Sequence, residues 1–386
     1  MTQGDNSGVK CRWRGLVLIP VMLLASPASA DAEATAIQPI VVQPAKSATL
    51  QELMTKLRSE RLVYVGETHT DMADHNVQLA VLRGMASRSE GLAIGVEWIQ
   101  ARFQHVLDDY IAGRIDEAGM LRGTEYYQRW RFDYRLYRPI MRYAREKGIP
   151  VIALNASREL TSAISQHGIN SLPPDVRKEL PDSYDVTDKV YETRLRETFA
   201  LHGGDDDSAF QRFVEVQLTW DESMAQRVAE YLRDHPDGSM LVLAGKGHIG
   251  GRNGIPNRVT RRTGLRGATI VRYNPAAGGL DEADHLVLAP NESLPPSGML
   301  RVMLDERDEG VFIDGFSRSS PAESAGMKKG DRLLSINGHA IRHFVDVKVA
   351  MIDQRPGNEV AVRVLRDPLL GGERTLEMKI PLAPEQ

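Results

Sequence analysis

Arg61-Leu62-Val63-Tyr64-Val65-Gly66-Glu67-Thr68-His69 is the stretch on which the fold reading turns. Residues 61–65 make an apolar run of strand length, and the run passes through a glycine into a carboxylate and an imidazole. Similar runs recur at 92–96, 150–154, 240–244 and 269–273. Between them lie amphipathic stretches, clearest at 71–87, 134–147 and 207–233, where apolar residues return at three and four. Strands alternating with helices imply an α/β domain, a parallel sheet with helices on both faces.

Residues 1–30 stand apart from this pattern. Lys10, Arg12 and Arg14 are followed by an apolar run at 15–24 and by Ala28-Ser29-Ala30, the layout of a secretory signal cleaved near Ala30. The run is shorter than the roughly 20 residues a membrane span needs. The single cysteine, Cys11, precedes the apolar run, so the signal is not that of a lipoprotein. The expectation is a soluble periplasmic or secreted chain without disulfides. Losing Lys10, Arg12, Arg14 and Asp5 takes the formal charge from −4 to −6. That balance excludes non-specific nucleic-acid binding, and a 42% hydrophobic content excludes a disordered chain.

Residues 31–47 read as a linker, 48–290 as the α/β domain, and 291–297, with Pro295 and Pro296, as a second linker. A smaller unit fills 298–385, and no repeat relates the two.

In an open parallel sheet, ligands bind beyond the carboxyl ends of the strands. Four of the five runs end there in polar residues: Gly66-Glu67-Thr68-His69, Glu97-Trp98, Asn155-Ala156-Ser157-Arg158 and Gly245-Lys246-Gly247-His248. Glu67, His69, Glu97 and His248 supply two carboxylates and two imidazoles, a set able to hold a divalent metal or to serve as acid and base. His75, six residues after His69, is expected at the surface. Gly245, Gly247 and Gly250 fit the dinucleotide fingerprint but stand late in the chain, where that motif does not belong. The aromatic segment from Tyr126 to Tyr137 offers packing, or a wall for a flat, apolar, anionic ligand with tyrosine oxygen for ferric iron.

The segments Val65-Gly66-Glu67-Thr68-His69, Gly95-Val96-Glu97, Ala153-Leu154-Asn155, Gln217-Leu218-Thr219-Trp220-Asp221-Glu222-Ser223-Met224-Ala225 and Ala244-Gly245-Lys246-Gly247-His248 resemble the ChaN-like haem-binding proteins over roughly residues 48–275. That superfamily is similar to the Tiki metalloproteases and the erythromycin esterase-like proteins. The resemblance implies an exported haem binder of iron acquisition, able to pair as a homodimer around haem. Tyr134 and Tyr137 are then the candidate iron ligands, and Arg158 a candidate for the haem carboxylates.

The last unit resembles a PDZ domain of the bacterial protease type, through Gly310-Val311-Phe312-Ile313, Pro321-Ala322-Glu323-Ser324-Ala325-Gly326 and Gly330-Asp331-Arg332-Leu333-Leu334-Ser335-Ile336-Asn337-Gly338. Such domains bind a peptide or protein C-terminus as an added strand. The resemblance places the carboxylate loop at Met299-Leu300-Arg301-Val302, where Arg301 replaces the usual glycine.

Three functions follow. The first is a haem-binding protein, not an enzyme, with a partner-binding module. The second is a metal-dependent hydrolase of the Tiki type, in which Glu67, His69, Glu97 and His248 hold the metal and Glu67 and His248 are catalytic. The third is a scaffold acting through the PDZ unit alone.

Overall fold

The structure, a computed structural model, describes residues 47–87, 91–201, 203, 206–274, 279–367 and 372–385. The expected signal segment, and the 31–47 linker apart from Ser47, lie outside the described residues. Strands β1 (Leu62–Glu67), β2 (Leu92–Gln100), β3 (Val151–Asn155), β4 (Ser239–Gly245), β5 (Ala268–Arg272) and β6 (His285–Val287) form one sheet in the order β3-β2-β4-β1-β5-β6. Every pairing in it is parallel. The first five strands are the five apolar runs, and β6 is a three-residue edge strand that carries no such run.

Alternation along the strands builds two cores. Val63, Val65, Leu241 and Leu243 face one side, under the helices Met72–Ala86, Gln104–Ile111 and Tyr134–Lys147. Leu62, Tyr64, Met240 and Val242 face the other, under the helices Asp207–Asp234 and Ile255–Thr263. A strand covered on both faces has no solvent side to mark with polar residues, so it reads as an unbroken apolar run. Leu82 is fully buried in the first core, where truncation to alanine would cost about 2–5 kcal/mol. Asp71, Asp133 and Ser157 cap the helices that follow them by accepting backbone N–H groups with their side chains, which fixes where the loops at the sheet rim end.

The smaller unit is an antiparallel sheet of β7 (Val302–Arg307), β8 (Gly310–Phe316), β9 (Arg332–Ile336), β10 (His339–Ala340), β11 (Glu359–Arg366) and β12 (Arg374–Pro381). Its order is β12-β11-β9-β8-β7, with β10 paired to β9. Among the described residues, strand β7 is therefore an edge strand, and the helix Phe344–Met351 lies beside it.

That helix is buried on two sides. Val347 and Ala350 enter the core of the small sheet, while Val345, and Ile352 just past its end, enter the first core of the large domain. Arg122 pairs with Asp346 at 3.0 Å and Arg138 with Asp353 at 2.6 Å across the same contact. In the 291–297 linker, the Pro295 carbonyl accepts from Arg135 at 2.7 Å. The second domain is thus docked on the first by shared apolar burial, which gives more than exposed ion pairs do. No helix among the described residues is long and apolar enough to cross a membrane.

Candidate functional site

Strands β2, β4 and β1 are neighbours, so their carboxyl ends deliver Glu97, the turn carrying His248, and Glu67 to one place on the rim. Glu67 is opposite Gly245 in the β1/β4 register. A glycine on the middle strand is what lets side chains from both outer strands meet. A Cβ at Gly245 would stand 2.8 Å from His69 Cε1 and 3.4 Å from Glu97 Oε2.

His69 Nδ1 lies 2.6 Å from Glu67 Oε1. The Gly245 N–H donates to Glu97 Oε2 at 2.6 Å, and Glu97 Oε1 lies 3.4 Å from His248 Nε2. One ligand atom each from Glu67, His69 and Glu97 fall within 4.8 Å of one another. The structure thus brings together the four residues expected from the strand ends, with Glu67, His69 and Glu97 the tight set.

Behind His248 stands a group the sequence reading did not assign. Asp221 Oδ1 is 2.6 Å from His248 Nδ1, and the Tyr191 hydroxyl donates to Asp221 Oδ2 at 2.7 Å. Arg194 donates to the carbonyls of Gly247 and Gly250 on either side of His248. Asp221 lies in the 217–225 segment that carries part of the family resemblance, but an acid inside a helix has no local mark of a role at the sheet rim.

Burial and charge set the protonation of this cluster. Burial raises Glu67 above the usual carboxylate range, against the pull of its His69 partner. Burial would lower His69, but the hydrogen bond to Glu67 and the Glu97 charge raise it. Burial likewise opposes charge on His248, yet Asp221 and then Glu97 push it up to about 9. His75 corrects the expectation of a surface residue: it is 1% exposed, because helix 72–86 turns it inward against the Tyr137 ring. Desolvation pulls His75 down to about 4, so it is neutral near pH 7.

The aromatic segment divides by direction. The Trp130 and Phe132 rings lie 4.9 and 4.7 Å from His69. Tyr134 is 1% exposed and donates to Glu117 at 3.2 Å. Tyr137 is fully buried, packed on Trp98 and His75. Neither tyrosine oxygen reaches a surface where haem iron could meet it in this arrangement. Both belong to the inward stripe Tyr134, Tyr137, Ile140, Met141, Ala144 of their helix.

Beside the cluster opens a cleft of about 480 Å³, lined by Trp98, Trp130, Trp220, Arg129, Arg131 and Arg158 among others. Trp130 backs onto His69 and Trp220 lies 6.3 Å from His248. Arg129 is neutralised by Glu125 and Glu159. Arg131 and Arg158 donate to the Gln128 carbonyl, and among the described residues neither pairs with a carboxylate.

The sequence profile of the haem-binding uptake family ChaN, of the Tiki superfamily, matches residues 53–259, more than half of the chain. The chain belongs to that family. A PDZ domain follows at residues 298–382. The structure described under "Cofacial heme binding to ChaN of Campylobacter jejuni" is similar in fold, with a TM-score of 0.51 at 16% identity, covering 62% of this chain and 91% of that one. Among curated proteins, the magnetosome formation protease MamE of Paramagnetospirillum magneticum is 40% identical over 58 residues, 15% of this chain and 8% of MamE. Protein RETICULATA-RELATED 5 of Arabidopsis thaliana is 23% identical over 243 residues, 57% of this chain and 32% of that protein. The chain therefore spans about a third or less of these two relatives.

In the PDZ domain, Met299, Leu300, Arg301 and Val302 line a groove of about 320 Å³ between β7 and helix 344–351. Arg301 takes the left-handed conformation a glycine would favour, at φ 56°. Its guanidinium donates to the carbonyls of Arg318 and Pro384, which holds the loop in shape.

Proposed function

We propose that this chain is an exported haem-binding protein of iron acquisition, with the PDZ domain recruiting a protein partner. The carrying observation is the pair Arg131 and Arg158, unpaired with any carboxylate among the described residues, at the rim of a cleft walled by Trp98, Trp130 and Trp220. A flat apolar ligand with two carboxylates matches that lining: ring faces for its body, guanidinium forks for its acids. His69 is the iron-ligand candidate here. Its side chain is 30% exposed, and Glu67 holds Nδ1, which leaves Nε2 for a metal. Bound haem would supply the redox and ligand chemistry of its iron.

Titrating residues 31–386 with haem tests this. The expected result is saturation at a fixed ratio, weakened at least tenfold in Arg131→Ala/Arg158→Ala and altered in spectrum by His69→Ala. Phenylalanine at Tyr134 and Tyr137 should leave the spectrum unchanged. A linear, non-saturating response would overturn the reading.

A second reading, a metal-dependent hydrolase, is favoured by the donor atoms of Glu67, His69 and Glu97 within 4.8 Å. Two carboxylates and an imidazole suit a catalytic zinc or manganese site. With a metal held there, His248 would carry a proton beside it, oriented by Asp221. Stoichiometric metal in purified protein, with peptide or ester cleavage lost in His248→Ala, would move the function to this class.

A further inference from the structure

The groove of the PDZ domain is apolar along most of its length, formed by Leu300, Val302, Leu304, Val347 and Met351. Arg301, Ser317 and the exposed Glu385 line its loop end, and along the helix one exposed cation, Lys348, interrupts it; among the described residues Lys348 pairs with no carboxylate. Its ammonium lies 5.3 Å from the ring of Phe344, the first residue of the groove helix. A second ring, 5.8 Å away, belongs to Tyr127 of the large domain. Tyr127 and Phe344 themselves meet edge to face at 6.4 Å. An isolated PDZ domain would lack the Tyr127 wall.

Position along the groove follows from the edge strand. A peptide added antiparallel to β7 puts its terminal carboxylate at residues 299–302 and its upstream residues toward Glu306. Glu306 accepts from the backbone N–H of Phe344, so Phe344 marks the upstream end. Lys348, one helical turn on from Phe344, stands between the two ends, level with the last few side chains of such a peptide.

We propose that this groove is a two-domain site selecting C-terminal peptides that carry an acidic side chain near the third position from the end, read by Lys348 between the rings of Phe344 and Tyr127. The inference rests on the second domain being a peptide binder. An unpaired ammonium beside apolar walls gains from a carboxylate, and the rings restrict where the ammonium can go. Because Tyr127 comes from the other domain, docking of the two is part of the recognition.

The test is fluorescence anisotropy of residues 31–386 with labelled octapeptides Gly-Ser-Gly-Ser-Gly-Glu-Ala-Val and the same peptide with Gln for Glu, each with a free carboxyl end. The Glu peptide should bind about 3- to 5-fold more tightly, as one partly exposed ion pair gives. The preference should fade in 0.5 M salt, vanish in Lys348→Met, and shrink in Tyr127→Ala, whose folding is checked by its melting temperature. Equal affinity for the two peptides, a preference that survives Lys348→Met, or no binding of either peptide overturns the proposal. No haem is present in this assay, so its outcome is independent of haem binding.

Discussion

Replacing Asp221 with asparagine should remove an alkaline loss of stability. His248 titrates at about 9 in the fold against 6.5 for an ordinary histidine, since Asp221 and then Glu97 overcome the burial that opposes its charge. At about 1.36 kcal/mol per pH unit, that gap amounts to about 3 kcal/mol. A raised pKa means the folded state holds the proton more tightly than the unfolded chain. The stabilisation is therefore complete below pH 6.5 and disappears as pH rises through about 9. Asparagine can still accept from Tyr191 and donate to His248 Nδ1, so the variant loses the charge but keeps the packing. The assay is urea unfolding at pH 6 and pH 9.5 in chelator, which keeps any metal from competing for Glu97. The wild type should lose more than Asp221→Asn over that interval, by up to about 3 kcal/mol less the part that Glu97 still supplies in the variant. Parallel losses in the two proteins would refute the assignment of the charge pair.

Gly245→Ala should open the cluster, because its Cβ would stand 2.8 Å from His69 Cε1 and must displace the imidazole. Zinc affinity measured by calorimetry should fall about 10- to 100-fold, the cost of moving a ligand's support. Val345→Asp places a carboxylate at a position 2% exposed in the core shared by the two domains. It should separate them, so that limited proteolysis cuts within 291–297 and calorimetry shows two transitions instead of one.

The sheet was legible because parallel strands must be apolar on both faces: Val63 and Tyr64 are adjacent in sequence and buried in opposite cores. The rim was legible for the same topological reason, since residues just past such runs converge wherever the strands are neighbours. The order β2-β4-β1, which makes Gly245 the gap through which His69 meets Glu97, is a long-range pairing with no local signature. Asp221 was quoted within the resembling segment but given no role, because it sits inside a helix far from any strand end and its role exists only once that helix meets His248. Tyr134 and Tyr137 were read from their chemistry, whereas the spacing they share with Ile140, Met141 and Ala144 already turned them inward. The docking of the second domain had a trace in the sequence as well. Helix 344–351 carries Val345 and Val349 in addition to Val347 and Ala350, more apolar surface than one core can use.

The haem and metal readings make opposite demands on one atom. With the Glu67 contact at Nδ1 of His69 kept, Nε2 is the nitrogen left to bind either an iron or a divalent ion shared with Glu97. Both therefore cannot be bound through His69 at once, and the two equilibria must compete. If zinc enters the carboxylate set, the apparent haem affinity should fall in proportion to zinc saturation. The effect should be lost in Glu97→Gln, which weakens the metal set but leaves Arg131, Arg158 and the tryptophan walls in place. Haem binding indifferent to saturating zinc would show that the iron takes a ligand other than His69. In that case the strand-end cluster and the aromatic cleft are two sites that share a wall at Trp130.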